Sequence, residues 1–140
     1  FEYRMNIFEN MNKFFQFNEF LALGMIFIDC EARLIALEYF DKAIALSYLP
    51  INKNRLAQAY DQRGGAKSFF GRTLESILDF SKAIKLDPRN PYLYFRRGNA
   101  YAYLNLNEEA IKNFKTSLML DPEFSLASDM IDILENEKKY

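Results

Sequence analysis

Apolar and small residues recur along this chain at steps of three and four residues, which is the spacing of one face of an α-helix. In one stretch Tyr94, Gly98, Tyr101 and Leu104 follow this spacing. The same spacing predicts helices over residues 20–29, 36–44, 60–70, 76–84, 94–104 and 110–118. No valine is present, and no stretch alternates apolar and polar residues as a half-buried strand would. The pattern therefore predicts an all-helical chain.

Residues typical of helix boundaries separate these segments. Thr73 and Asn107 are predicted N-caps, because their side-chain oxygens can accept hydrogen bonds from backbone N–H groups of the first turn. Asp87 and Asp121 each precede a proline, and the residue before a proline is disfavoured in helical geometry. These boundaries divide the chain into pairs of helices.

The helix pairs repeat along the sequence. An offset of 34 residues links Tyr60 to Tyr94, Gly64 to Gly98, Phe80 to Phe114, Ala83 to Ser117 and Asp87 to Asp121. An offset of 40 residues links an earlier copy to these positions: Phe20 to Tyr60, Gly24 to Gly64, Phe40 to Phe80 and Ala43 to Ala83. Self-similarity at such a period is the signature of stacked repeats, of which about three are needed for stability. The sequence thus predicts three stacked units.

The three units resemble the tetratricopeptide repeat, a 34-residue pair of antiparallel helices with a sparse pattern of bulky, small and aromatic positions. The residues that carry the resemblance are Phe20, Leu23, Gly24, Phe27, Ala36, Phe40 and Ala43; Tyr60, Gly64, Ser76, Phe80, Ala83 and Pro88; and Tyr94, Gly98, Tyr101, Ala110, Phe114, Ser117 and Pro122. The exceptions are Tyr48, which stands in place of a proline, and Arg63, Lys67 and Arg97, which stand where apolar residues are usual. The resemblance implies an all-α, right-handed superhelical solenoid of antiparallel helix pairs.

The repeat boundaries suggest how the whole chain is divided. We expect a first unit at 17–50, an inserted linker or helix extension at 51–56, a second unit at 57–90, a third unit at 91–124 and a C-terminal capping helix at 125–140. Residues 1–16 are predicted to be helical, as a degenerate half repeat or an N-terminal extension. No glycine or proline separates them from Phe20, so a helix that runs directly into the first unit also fits the sequence.

Composition narrows the classes of function. The chain has 140 residues, 50% of them hydrophobic, with 5 Gly and 4 Pro, which suits one folded domain. Its 18 Lys and Arg against 19 Asp and Glu leave no basic excess for nucleic acid. One cysteine and no histidine exclude an internal disulfide, a Cys/His metal site and histidine-based catalysis. We therefore expect no enzyme activity, no cofactor and no metal.

The most apolar run, residues 20–28, is too short for a bilayer, which needs about 20 residues. We expect no membrane span. Read from Met11, the run loosely resembles a secretory signal, but no small-residue cleavage site precedes Cys30. A cytoplasmic location is favoured, and an exported form stays open if an upstream signal was removed.

The resemblance implies that the first helices of the units line a concave groove that takes peptides or partner helices. Carrying that inward face over to this sequence predicts a groove lined by Leu21, Met25 and Ile28; Gln58, Asp61, Gln62, Gly65 and Phe69; and Tyr92, Phe95, Arg96, Asn99 and Tyr103. A mostly apolar groove suits a hydrophobic or amphipathic segment, whose orientation the few polar groups fix. We expect a protein or peptide partner and an adaptor or scaffold role.

Three alternatives stay open, two for what occupies the groove and one for the role of the whole chain. In the first, the chain's own terminal helix covers part of it. In the second, the chain is a self-associating homo-oligomer whose groove takes a terminal helix of another copy. In the third, the chain is an accessory domain of a larger enzyme or of a secretion or chaperone complex. Large exposed apolar patches often mark interaction sites, which favours a separate partner.

Some members of the family hold a C-terminal carboxylate with Lys, Asn and Arg side chains on successive first helices. Here Leu21 and Met25 occupy the first Lys and Asn positions, Gln62 replaces the second Asn, and only Arg96 matches. A carboxylate clamp is therefore not expected.

Arg63 and Arg97 each precede the glycine of the repeat. We expect them to pair with polar groups of a second helix, such as Asp79 and Asn113, rather than with an anionic ligand. Gly64 is expected to serve packing. Gly65 has no packing role in the repeat, so close approach of a ligand or simple tolerance stays open.

Overall fold

The computed structural model describes residues 2–137 and consists there of seven α-helices with no strand. The helices are α1 Glu2–Asp29, α2 Arg33–Ala45, α3 Lys53–Phe69, α4 Thr73–Leu86, α5 Pro91–Tyr103, α6 Asn107–Leu120 and α7 Ser125–Glu137. The six predicted segments lie on α1 to α6. Two of them extend one residue past their helix, to Phe70 and Leu104, which stand at C-cap positions. The prediction of an all-helical chain is confirmed.

The helices pair in chain order, α1 with α2, α3 with α4 and α5 with α6, and α7 packs on α6. The pairs stack through α2 on α3 and α4 on α5, and the first helices α1, α3 and α5 also touch in succession. Packing is therefore between neighbours, as in other repeat proteins. This arrangement is the all-α solenoid of helix pairs that the repeat predicts.

In each unit a phenylalanine packs against a glycine. Phe40, Phe80 and Phe114 are buried, and each ring lies on the glycine of the preceding helix. A Cβ atom at Gly64 would lie 2.9 Å from Phe80 Cε1, and a Cβ atom at Gly98 would lie 2.7 Å from Phe114 Cε1. In a close-packed interior such an atom would push the two helices apart. Close helix approach thus explains the repeated glycine, as expected for Gly64.

The turns inside the units share one backbone conformation. One residue in each turn has a positive φ: 60° at Glu31, 71° at Gly71 and 59° at Asn105. In the second unit the Arg72 N–H then donates to the Lys67 carbonyl oxygen at 3.0 Å. A left-handed residue with this hydrogen bond closes the end of a helix. Equivalent bonds close the first helix of the other two units.

The two predicted N-caps are wrong by one residue. Arg72 and Leu106 hold the N-cap positions without a side-chain hydrogen bond, and Thr73 and Asn107 are the first residues of their helices. The reason lies in the turn: the N–H of the N-cap residue already closes the preceding helix, so the next helix starts directly after it. The predicted helix ends are confirmed, because Asp87 and Asp121 stand at the C-cap positions.

The two ends of the array are covered to different extents. Helix α1 runs without a break from the N-terminal segment into the first unit, and its side chains at Met5, Phe8 and Phe15 are exposed. Helix α7 instead buries Ala127 and Leu134 in one cluster with residues of α6. Phe1 and residues 138–140, the outer ends of the predicted N-terminal and capping segments, lie outside the described residues. The segment boundaries stay predictions; α3 begins within the predicted linker.

The charged residues at apolar positions of the second unit are paired. Arg63 donates to both oxygens of Asp79, at 2.9 Å from Nε and 2.8 Å from Nη2, and Lys67 Nζ lies 2.9 Å from the same carboxylate. Arg63 Nη1 also donates to Asp41 of the first unit at 2.8 Å. Burial lowers the pKa of Arg63, but the hydrogen bonds to Asp79 and Asp41 outweigh it and leave the pKa above its ordinary value. The predicted pairing of Arg63 with Asp79 is confirmed.

The third unit contains a similar arrangement in which the arginine donates to neutral acceptors. Arg97 Nε donates to Asn113 Oδ1 at 2.8 Å, and Arg97 Nη1 donates to Ser81 Oγ of the second unit at 3.0 Å. The predicted pairing of Arg97 with Asn113 is confirmed. Both arginines therefore connect their own unit to the preceding one and are not free to bind a ligand.

Candidate partner-binding groove

We use the term groove for the surface formed by the first helices α1, α3 and α5. Side-chain hydrogen bonds join these helices in succession. Gln58 Nε2 lies 3.5 Å from Met25 Sδ, which connects α3 to α1, and Arg96 Nη1 donates to Asp61 Oδ2 at 2.8 Å, which connects α5 to α3. The structure thus brings four of the predicted groove residues together from all three units.

Three aromatic side chains of the predicted groove remain accessible. Phe69 is 63% exposed, Tyr92 is 49% exposed and Tyr103 is 73% exposed. Contiguous exposed apolar surface often marks an interaction site. The guanidinium of Arg33 lies above the Phe69 ring, 4.1 Å from the ring centroid.

Two predicted groove residues are instead used in packing. Leu21 is fully buried, in one cluster with Phe17 and Phe40. Phe95 is partly buried, with its ring centroid 5.1 Å from that of Phe124 and 5.6 Å from that of Phe114. The assignment of Leu21 to the groove is therefore corrected, and that of Phe95 stays a prediction. A helix turns by 100° per residue, so a small error in rotation converts an inward apolar position into a core position.

The chain's own C-terminal region covers one end of the groove. Phe124, in the turn before α7, contacts both Phe95 and Tyr92; the ring centroids of Tyr92 and Phe124 are 6.3 Å apart. The turn before α7 thus packs on Phe95, while coverage of the groove by the terminal helix itself, one of the alternatives left open by the sequence, stays a prediction. This packing leaves Phe69 and Tyr103 accessible.

A buried ion pair lies in the middle of the groove. Asp61 is 8% exposed, and its carboxylate accepts a hydrogen bond from Arg96 through Oδ2 alone. Its other oxygen, Oδ1, is buried without a hydrogen-bond partner. Burial raises the pKa of Asp61, and the charge and hydrogen bond of Arg96 offset this only in part.

Arg96 also explains the second glycine of the Gly64–Gly65 pair. A Cβ atom at Gly65 would meet Arg96 Nη2, so the missing side chain leaves room for this guanidinium. The guanidinium also lies over two rings, 5.1 Å from the centroid of Phe80 and 5.7 Å from that of Tyr92. The group that lies close to Gly65 is thus the side chain of Arg96, a residue of the third unit.

Cavities lie along the groove. One of about 260 Å³ is lined in part by Gly65, Arg96, Asn99 and Tyr103, and a second of about 230 Å³ in part by Ile28, Arg33, Gln62 and Phe69. A third, of about 380 Å³, is lined in part by Gln58, Asp61, Gln62 and Tyr92. Every predicted groove residue except Leu21, Met25 and Phe95 lines one of these cavities.

Sequence reasoning missed Arg33 and Arg55 as groove residues. Arg33 is the first residue of a second helix, so a search restricted to first helices passes over it. Arg55 donates to Asn18 at 3.1 Å and to Gln58 at 3.4 Å. Its signal was the six-residue insertion before the second unit, which extends α3 toward α1.

A separate apolar surface lies on the N-terminal half of α1. A cavity of about 450 Å³ is lined by Ile7, Asn10, Met11, Phe14, Phe15, Leu49 and Pro50. We call this the N-terminal apolar surface. The helical spacing of Met11 and Phe15 was visible in the sequence, but the contribution of Leu49 and Pro50 was not.

Solved structures with similar folds can now be compared. The first tetratricopeptide domain of Spaghetti (RPAP3) bound to the HSP90 peptide SRMEEVD has a TM-score of 0.81 and 18% identity, over 91% of this chain and 96% of that chain. The tetratricopeptide domain of Arabidopsis OM64 has a TM-score of 0.80 and 23% identity, over 89% and 98%. MamA has a TM-score of 0.80 and 22% identity, over 88% and 68%.

Family models agree with the fold. A model described as TPR repeat matches residues 71–105, and one described as Tetratricopeptide repeat matches residues 91–124. Residues 71–124 thus match tetratricopeptide repeat models, and the chain shares the fold of solved tetratricopeptide domains. No curated protein matches this chain in sequence.

Two further findings concern the described part of the array. Within residues 2–137 no group of His, Cys, Asp and Glu side chains could hold a metal ion. In the same range no helix is both long enough and apolar enough to cross a membrane.

Proposed function

We propose that this tetratricopeptide array is an adaptor or scaffold module that binds a peptide or an amphipathic helix of a partner protein in its groove. The observation that carries the proposal is the exposure of Phe69, Tyr92 and Tyr103 on one surface, next to cavities with polar walls. Structural neighbours with bound peptides, such as the Spaghetti domain, support the general role.

The groove offers both affinity and orientation. Burial of aromatic side chains supplies most of the binding free energy at many interfaces, and removal of one central ring costs about 2 kcal/mol or more. Asn99, Gln62 and Arg96 supply polar groups that can fix the direction of a bound segment. The carboxylate clamp of some relatives is not part of the proposal, because Leu21 is buried at its first position.

A selection of binding peptides from a random library displayed on phage tests the proposal. The selected peptides are then titrated against the parent chain and against the Phe69→Ala/Tyr103→Ala variant. We expect the double variant to bind at least about 30-fold more weakly, since about 2 kcal/mol corresponds to that factor.

The matched control is Leu74→Ala/Leu78→Ala on α4. These side chains are 69% and 64% exposed, like Phe69 and Tyr103, but lie on a second helix. The control should retain full affinity. Equal loss in both variants, or selection of no peptide at all, would contradict groove binding.

The N-terminal apolar surface supports self-association as a second candidate function. Phe14 and Phe15 of this surface are 42% and 63% exposed, and Phe8, which follows its residue Ile7 in the chain, is 71% exposed. Light scattering over a concentration series tests this. A mass that rises with concentration and returns to that of a monomer in Phe8→Ser/Phe15→Ser is expected. A strict monomer at every concentration would rule it out.

A further inference from the structure

Two buried aspartates of the second unit differ in how completely they are hydrogen bonded. Asp79 accepts from both Arg63 and Lys67 and uses both of its oxygens. Asp61 accepts only from Arg96, and its Oδ1 is the one buried side-chain nitrogen or oxygen within residues 2–137 that has no hydrogen-bond partner. Buried polar groups in native proteins are nearly always paired, so an exception calls for an explanation.

A cavity adjoins this incompletely bonded carboxylate. It measures about 380 Å³ and is lined by Asn54, Arg55, Ala57, Gln58, Asp61, Gln62, Asp87, Asn90, Tyr92 and Leu93. Its walls thus contain two carboxylates and four side-chain amides, all able to accept hydrogen bonds. Tyr92, about half exposed, adds an aromatic face to the wall.

The residues that line the cavity carry one net negative charge, because two carboxylates stand against one arginine. The single cationic wall residue, Arg55, is already hydrogen bonded to Asn18 and Gln58. Asp87 has a long contact of 3.3 Å from Asn90 Nδ2 to its Oδ2. Asp79 shows that a buried carboxylate of this fold takes two cations at once, so the bond from Arg96 does not exhaust Asp61.

We propose that this cavity binds an arginine side chain of the partner segment, with Asp61 and Asp87 as its acceptors. An arginine fits better than a lysine because its guanidinium presents five N–H donors, which match several separate acceptors. The proposal rests on the function proposed above, since the arginine belongs to a segment that lies in the groove.

The test is a titration of the ¹⁵N-labelled chain, followed by NMR, with N-acetyl-arginine amide. The control ligand is N-acetyl-citrulline amide, which has nearly the same shape but no charge. We expect the arginine ligand to shift amide signals around residues 58–62 and 87–92. Its affinity should be about tenfold higher than that of the citrulline ligand, as for a charge-assisted hydrogen bond.

Variants make the assignment specific. Asp61→Asn and Asp87→Asn should each weaken binding of the arginine ligand about tenfold. Asp87 is only half buried, so its variant also serves if Asp61→Asn disturbs the fold. Asp121→Asn is the matched control, because Asp121 is the equivalent of Asp87 in the third unit and lies outside the cavity; it should bind as the parent does.

Equal affinity for the citrulline ligand, or parent-like binding by both Asp61→Asn and Asp87→Asn, would overturn the proposal. The outcome is separable from that of the groove experiment. If selected peptides bind through Phe69 and Tyr103 but do not depend on arginine or on Asp61, this inference fails and the proposed function stands. If no peptide binds, the proposed function fails.

Discussion

The first and second units place opposite kinds of side chain at the same positions of one repeat. The equivalent pairs, in the order first unit and second unit, are Leu21 and Asp61, Leu23 and Arg63, Phe27 and Lys67, and Tyr39 and Asp79. In the first unit the Phe27 and Tyr39 rings stack with their centroids 5.4 Å apart and their planes 7° apart. In the second unit the same space contains a carboxylate with two cations.

This difference shows that the repeat fixes the shape of the helix pair but not the polarity of the side chains that fill it. The helix pair is the same in both units, and the Phe–Gly contact is retained at Phe40 and Phe80. A stacked pair of rings and a fully hydrogen-bonded charge cluster fill the remaining space equally well. A single substitution should lower the free energy of unfolding far more in the charge cluster than in the ring pair, because it leaves a buried charge unpaired.

The largest effect is expected where the charge cluster is broken. Asp79→Ala leaves Arg63 and Lys67 buried without their common acceptor, and loss of one partner of a buried pair costs about 3–5 kcal/mol. Urea unfolding of parent and variant measures this. A loss below about 1 kcal/mol would show that the second unit tolerates free charges, and the comparison between the units would lose its basis.

Exchange of all three charged residues of the cluster is expected to have a smaller effect of opposite sign. The variant Arg63→Leu/Lys67→Phe/Asp79→Tyr replaces the charge cluster of the second unit by the residues of the first unit at these three positions. Replacement of a buried ion cluster by packed apolar residues is neutral or stabilising by about 1–4 kcal/mol. Thermal and urea unfolding should place this variant at or above the parent. A large loss would mean that the two units differ in backbone shape, not only in side chains.

The contrast between Leu21 and Asp61 predicts a dependence on pH. Burial raises the pKa of Asp61 in the folded chain, so the folded state binds a proton more readily than the unfolded state does. Stability carried by this group therefore falls as pH rises from its ordinary value of 3.8 through the folded value. Asp61→Asn should be more stable than the parent at pH 7, and this difference in the free energy of unfolding should become smaller toward pH 4. A stability difference between variant and parent that grows on acidification would contradict this prediction.

The smallest effect is expected at the exposed edge of the cluster. Asp41 accepts from Arg63 but is 62% exposed at its side chain. Asp41→Ala should cost at most about 1 kcal/mol, as for other surface ion pairs, and the cost should shrink in high salt. Urea unfolding at low and high salt measures this. An effect as large as that of Asp79→Ala would show that the link between the units, and not the buried carboxylate, stabilises the cluster.

The fold was predictable from the sequence because its signals are repeated. The spacing of Gly64 and Phe80 recurs in three copies, and the physical reason, close helix approach, is the same in each. The partners of Arg63 and Arg97 were predictable because each arginine has a polar residue one helix away, at the same register.

The groove was predictable only in part, for two physical reasons. The distinction between groove and core depends on a rotation of one residue along a helix, and Leu21 and Phe95 are apolar enough for either place. The contact of Phe124 with Phe95 joins segments far apart in the sequence, which periodicity does not report. The N-cap errors came from a backbone hydrogen bond in the turn, although Gly71 and Asn105 are residue types typical of left-handed turns.

The packing of each helix on its chain neighbours also determines how the protein reaches its structure. Contacts between neighbouring helices join residues that are close in sequence, so little chain entropy is lost before each contact forms. Chains of such low contact order fold within about microseconds to milliseconds. Helix pairs should therefore form early and independently, and assembly should then spread from pair to pair along the array.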